Sequence, residues 1–215
     1  MAELERGLRE GLADLGLVLA DAQVSQLLAY QALIAKWNQV YNLTAVRDPQ
    51  EMLTHHLLDS LAVVPPLRQQ LAGRTTLLDV GSGAGLPGVV LAITCPELTV
   101  TCVDTVAKKA AFIQQVAVSL GLPHLKGLHA RVETLPGPYD VISSRAFSSL
   151  PDFVKGSRQA LAPQGVWMAM KGKHPQEELA ALPADVDVFH VEPLTVPGLS
   201  AERCIVWMRL AAQDS

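Results

Sequence analysis

Apolar positions in the first third of the chain recur every three or four residues, and later ones come in short runs. Leu4, Leu8, Leu12 and Leu15 follow helical spacing, and a second stripe runs through Val24, Leu27, Leu28, Gln31, Ile34 and Trp37. Asp48-Pro49-Gln50-Glu51 reads as a helix start, with Asp48 as N-cap, proline at the first helical position and glutamate at the third. That helix is expected to reach Val63 or Val64 and to stop at Pro65-Pro66. From Thr76 onward the pattern predicts strands at 76–80, 98–103, 127–131, 139–143, 165–170, 186–191 and 203–209. Helices are expected between them at about 87–94, 107–120, 149–161 and 175–181. Such alternation implies an α/β, Rossmann-like fold: a seven-stranded, mostly parallel sheet with helices on both faces and an antiparallel last strand. A helical N-terminal extension, 1–65, would join a sheet domain, 75–215, through a seam at Pro65–Arg74.

Composition narrows the class. Of 215 residues, 49% are hydrophobic and 18% charged, enough apolar material for a sizeable core. No stretch of 18 uncharged apolar residues occurs and the first 25 residues carry charges throughout, so neither a membrane span nor a secretory leader is expected. Cys95, Cys102 and Cys204 lie far apart with no CxxC pair, which predicts a cytoplasmic, metal-free protein. The net charge of −4 argues at first against a polyanion partner. Its distribution reverses that: Asp104–His174 holds nine Lys/Arg against four Asp/Glu, a +5 segment that leaves −9 for the rest. Scattered solvated lysines would give the same count.

The stretch LLDVGSGAGLPGVVL, residues 77–91, places Gly81, Gly83, Gly85 and Gly88 between a strand and a helix. Missing side chains there suggest a ligand close to the backbone, its anionic part met by the helix N-terminus. Gly83-x-Gly85-x-x-Gly88 also matches a dinucleotide fingerprint, so an NAD-dependent oxidoreductase is one reading. Asp79 before the loop gives D-x-G-x-G-x-G, with an aspartate suited to an ammonium group. That pattern resembles motif I of class I S-adenosylmethionine-dependent methyltransferases. Asp104 ends the next strand where such enzymes hold ribose hydroxyls, Val132 and Glu133 follow the third strand where adenine is held, and LAPQGVWMAMKG resembles the turn before the fifth strand.

KWNQVYNLTAVRDPQEMLTHHLLDSL, DVGSGAGLPGVVL, SRAF at 144–147 and MKGK at 170–173 together resemble the bacterial small-subunit rRNA methyltransferase G family (GidB) over nearly the whole chain. The resemblance implies methylation of guanine N7 in the decoding-region loop of 16S rRNA, on free rRNA, the 30S subunit or an assembly intermediate. It also implies cofactor-site positions at Gly81, Leu86, Val132, Glu133 and Arg145. A noncatalytic RNA-binding module with the same fold is the third reading.

The chemistry is consistent with a purine ring nitrogen. Ser143-Ser144-Arg145-Ala146-Phe147 stands where amine methyltransferases carry Asn/Asp-Pro-Pro-Tyr, and no cysteine is placed as a nucleophile. Guanine N7 carries no proton and needs alignment rather than a base. Arg145 could read O6 or hold a phosphate, or could pair with Asp140 or Asp152; Lys171, Lys173, Lys108 and Lys109 are candidate phosphate contacts. His56, Asp59 and Ser60 fall on adjoining positions of one helix, so His56 can reach either partner at i+3 or i+4, as part of an active-site wall or as a satisfied interface histidine. Asn42 and Thr44 would order their loop or line the RNA site, and Trp37 is expected in the core.

Overall fold

The computed structural model describes residues 2–145, 147 and 149–212. Two long helices open the chain, α1 (Ala2–Asp14) and α2 (Asp21–Tyr41). The third helical region starts as the sequence predicts: Asp48 accepts from the N–H groups of Gln50 and Glu51, with Pro49 at the first position. It is not one regular helix. A short α3 (Pro49–Met52) passes into a π-helical segment, Leu53–Leu58, and back into α4 (Asp59–Leu61).

The helical run from Pro49 ends at Leu61, two residues short of the expected Val63, and a turn at Ala62 and Val63 separates it from a new helix that holds Pro65 and Pro66. They lie in the first turn of α5 (Val64–Leu71), where no intrahelical N–H is needed, so the expected seam is itself helical. The strands come next: β1 (Thr76–Val80), β2 (Thr99–Asp104), β3 (Leu125–His129), β4 (Tyr139–Arg145), β5 (Leu161–Lys171), β6 (Val186–Leu194) and β7 (Arg203–Leu210). Between them lie α6 (Gly88–Thr94), α7 (Ala107–Ser119), α8 (Leu150–Ser157) and α9 (Gln176–Ala180). Helix α8 ends earlier than expected, in a 3₁₀ turn at Arg158–Ala160, and β5 starts four residues before the expected 165.

The sheet order is β3-β2-β1-β4-β5-β7-β6, with β7 antiparallel to both neighbours and every other pair parallel. The chain reverses its winding between β1 and β4, so the carboxyl ends of these strands border the crevice where open α/β sheets bind ligands. One face buries Leu78, Ile142, Phe153, Trp167 and Val206. The other buries Leu8, Leu27 and Tyr30 from α1 and α2 in one cluster with Val89, Ile113, Val141 and Trp207. The N-terminal helices therefore share their core with the sheet, which fixes their polar groups relative to the carboxyl edge.

Candidate active site

The glycine loop is held from three sides. Gly81 and Gly83 sit at φ 65° and 58°, conformations that glycine enters without a Cβ penalty, and a Cβ at either would meet nothing within 4 Å. The Gly81 N–H donates to the Val103 carbonyl and the Gly83 N–H to Asp104 Oδ2 at 3.0 Å. From below, Asp79 accepts from the Gly88 N–H and from Ser143 Oγ, both at 2.9 Å. From α2, the Tyr30 hydroxyl donates to the Ala84 carbonyl at 2.6 Å.

Only half of the glycines leave room for a ligand. A Cβ on Gly88 would run into Cys102 Sγ and come within 2.8 Å of Asp79 Oδ2; one on Gly85 would strike Val89 and come within 2.7 Å of Ile113. At these two positions the side chain is removed for packing of the protein against itself. Asp79 is likewise turned inward. It is fully buried, and burial first of all pushes its carboxyl up to about 7 against the opposing hydrogen bonds from Ser143 and Gly88. Its expected partner, a ligand ammonium, is replaced by the loop it braces. The start of α6 does not present its first N–H groups to a ligand either: Gly88 donates to Asp79 and Val89 to the Gly85 carbonyl. Leu86 packs in the core, with its N–H on the Ser82 carbonyl.

A cavity of about 350 Å³ opens at the carboxyl ends of β1 and β2. Gly81, Asp104, Val132 and Glu133 line it together, as expected, joined by Lys109 and Phe147. Its size falls within the roughly 300–1,000 Å³ range of small-molecule sites. Asp104 accepts one N–H on each oxygen, from Gly83 and from Val106 (2.8 Å), and each oxygen keeps a lone pair for hydroxyls. A larger depression of about 1060 Å³ lies at the opposite, amino edge among Arg158, Gln164, Asp187 and Arg209. It lacks the loop and the convergent backbone donors.

Beside the cavity, on the α2 side of the sheet, lies a buried charge cluster. Asp59, 2% exposed, receives Arg145 Nη1 at 3.1 Å and Arg203 Nε at 2.8 Å; Arg145 Nη1 also donates to the His55 carbonyl at 2.9 Å. Arg145 thus pairs with neither Asp140, whose carboxylate caps Thr75 and Thr76, nor Asp152, which meets the Ser149 hydroxyl. Asp59 is turned to Arg145 and Arg203 instead of His56, and His56 makes no hydrogen bond to Asp59 or Ser60. Its Nε2 lies 2.8 Å from Thr44 Oγ1, and burial, with the Arg145 charge second, lowers its pKa to about 4, so it is neutral near pH 7. Thr44 and Asn42 order their loop, Thr44 accepting from the Val46 N–H and Asn42 from Arg47. Trp37 packs against the core with its ring 5.4 Å from Phe112.

Lys171 is not a surface phosphate contact. Its ammonium is nearly buried and lies 2.8 Å from Glu178, which also accepts the N–H of Leu150 at 2.7 Å, so it locks β5 to α8 and α9. Lys173 is exposed beyond the end of β5, Lys109 lines the cavity, and Lys108 lies over the Tyr41 ring. Sequence reasoning missed Tyr30, Ser143, Glu178 and Arg203. Tyr30 was legible as an apolar-stripe position three residues after Leu27, and Arg203 as a charge opening an otherwise buried strand; nothing local marks Ser143 or Glu178. Among the described residues no group of three or more His, Cys, Asp or Glu could hold a metal, and no helix is long and apolar enough to cross a membrane.

Solved structures share this architecture. An S-adenosylmethionine-dependent methyltransferase from Clostridium acetobutylicum superposes with a TM-score of 0.59 at 11% identity, over 86% of this chain and 100% of that one. One from Aquifex aeolicus gives 0.54 at 19% identity, over 76% and 94%. At such identities they speak for the fold. Sequence relatives are much nearer: the ribosomal RNA small subunit methyltransferase G of Acidovorax ebreus is 69% identical over 97% of this chain and 96% of its own length. That of Polaromonas sp. strain JS666 is 70% identical over 95% and 93%. The family model for rRNA small subunit methyltransferase G (GidB) matches residues 23–206, and the chain belongs to that family.

Proposed function

We propose that this chain transfers a methyl group to N7 of a guanine in 16S rRNA, in the cytoplasm, on the free RNA, the 30S subunit or its assembly intermediate. Family membership makes it an S-adenosylmethionine-dependent methyltransferase. The observation that carries the proposal is the convergence of Gly81, Asp104, Val132 and Glu133 on one cavity, with Arg145 ending the neighbouring strand. These residues fit the cofactor. Asp104 offers acceptors to ribose hydroxyls, Val132 and Glu133 form a wall for a flat base, and the open backbone at Gly81 and Gly83 admits the chain of atoms between. When bound, S-adenosylmethionine supplies an electrophilic methyl.

The protein's remaining contribution is orientation. Guanine N7 has its lone pair ready, so no residue must take a proton, and alignment alone can supply up to about 7–11 kcal/mol. Asp59 and the His55 carbonyl fix Arg145 at the edge of the sheet. There its charge can hold a phosphate or guanine O6 and leave N7 free. The test is to treat 30S subunits and naked 16S rRNA from a strain lacking the gene with protein and methyl donor, then map the modified nucleotide. Methyl on guanine N7 supports the reading; methyl elsewhere, or none on either substrate, overturns it. Calorimetry distinguishes the oxidoreductase alternative, for which NAD rather than S-adenosylmethionine would bind.

A further inference from the structure

The carboxyl end of α2 carries an exposed aromatic patch that the methyl-transfer site does not use. Val40 is 71% exposed and Tyr41 40%. The Tyr41 ring leans on Trp37, centroids 5.2 Å apart, and Trp37 in turn packs on buried Phe112, so the platform is anchored in the core. The Lys108 ammonium lies over the Tyr41 ring, 5.4 Å from its centroid. Arg47 bonds Asn42 Oδ1 at 2.9 Å, holding a second cation next to Tyr41. Among the described residues no carboxylate lies within ion-pair distance of Arg47, Lys108 or Lys109. Asp48, the nearest in sequence, is turned to the N–H groups of Gln50 and Glu51. The strip is continuous with the cavity, because Val106 and Lys109, on either side of Lys108, belong to its lining.

An aromatic face with unneutralised cations around it suits unpaired nucleotides, whose bases stack and whose phosphates take the charge. We infer that Tyr41 is a stacking platform for an unpaired base of the substrate RNA, which takes the ring face that Lys108 covers here while Lys108 turns to the adjoining phosphate, with Arg47 as a second phosphate contact. The inference rests on the proposed rRNA activity and adds where a nucleotide flanking the target is held. Trp37, tilted under Tyr41, is the support rather than the platform.

The experiment compares Tyr41→Ala, Tyr41→Phe and Lys108→Ala with the unmutated protein, using labelled 16S rRNA transcript for binding and S-adenosylmethionine for cofactor affinity. Tyr41→Ala should weaken RNA binding by about fivefold to a hundredfold, the range for one lost base–aromatic stack. Tyr41→Phe should stay within about twofold, since the π-face is kept. Lys108→Ala should flatten the slope of log affinity against log salt by about 0.7, one single-strand phosphate contact. Cofactor affinity should not move in any variant. Equal RNA binding by Tyr41→Ala and the unmutated protein overturns the platform, as does a parallel loss of cofactor affinity. If the unmutated protein methylates rRNA in either case, the activity stands and only the platform falls.

Discussion

Asp59 is the residue whose replacement tests the site architecture most directly. Its carboxylate is buried and receives Arg145 and Arg203 at 3.1 and 2.8 Å. Asp59→Asn keeps the shape and removes the charge. The amide oxygen can serve one arginine, but the amide NH₂ then faces the other. Breaking a buried ion pair costs about 3–5 kcal/mol because a charge is left uncompensated. Here both arginine side chains are about a quarter exposed and recover some hydration, so a loss of roughly 2–4 kcal/mol is expected. For a chain of this size that lowers Tm by about 5–15 °C. Methyl transfer should fall further than stability, because Arg145 loses the anchor on one side of Nη1 and keeps only the His55 carbonyl. Thermal unfolding gives the first quantity, and single-turnover transfer at saturating S-adenosylmethionine, well below the variant's Tm, gives the second. A Tm within about 2 °C of the unmutated protein, with an unchanged turnover rate, would sink both the clamp and its role.

Gly83→Val should lose S-adenosylmethionine affinity, since its Cβ enters open space at the loop and a β-branched residue is strained at φ 58°. That strain costs about 1–3 kcal/mol, which a far-UV spectrum should show the fold survives; near-normal affinity by calorimetry would refute the loop assignment. Asp104→Ala should weaken the same ligand by roughly 1.5–3 kcal/mol for lost bonds to a charged acceptor, and an unchanged dissociation constant would leave Asp104 as a brace for Gly83 and Val106 alone. His56, with its folded pKa lowered to about 4 from 6.5, binds fewer protons folded than unfolded in that window. Its stability is therefore complete above pH 6.5 and lost as pH falls toward 4, by up to roughly 3 kcal/mol, and His56→Asn should flatten that fall in denaturant titrations. Asp79 has the opposite sign: its folded pKa, raised from 3.8 to about 7, makes stability fall as pH rises between those values. Asp79→Asn, able to accept from Gly88 and donate to Ser143, should remove that loss, and a steeper decline toward pH 8 would contradict the buried-charge account.

The sheet was legible because its strands are buried apolar runs separated by helical periods, so each type of repeat announced its element. Strand β1 falls where expected, residue for residue, and the antiparallel end was implied by two strands joined only by a loop. The π-helical segment was not legible. Leu53, Leu57 and Leu58 satisfy ordinary helical spacing, and nothing local distinguishes a wider turn. Pro65-Pro66 misled because proline both ends helices and opens them; here Leu67 and Leu71 continue a buried helical stripe beyond the pair. The glycines looked alike in sequence. Gly81 and Gly83 face open space while Gly85 and Gly88 face Val89, Ile113, Asp79 and Cys102, a difference made by helix–sheet packing.

Charges were the least legible feature, because a charge finds its partner across the fold. Arg203 meets Asp59 across 144 positions and Arg145 meets it across 86, so no reading of neighbours along the chain could pair them. The +5 segment shrinks on the same ground. Arg145, Arg158 and Lys171 each lie against a carboxylate from outside the segment, Asp59, Asp185 and Glu178, which lowers its uncompensated charge. Two that remain available, Lys108 and Lys109, stand beside the cavity and next to Tyr41. Long-range attraction scales with the uncompensated charge rather than with the count of lysines and arginines. An acidic protein of net charge −4 can therefore hold RNA when its compensated cations build the site and its uncompensated ones border it.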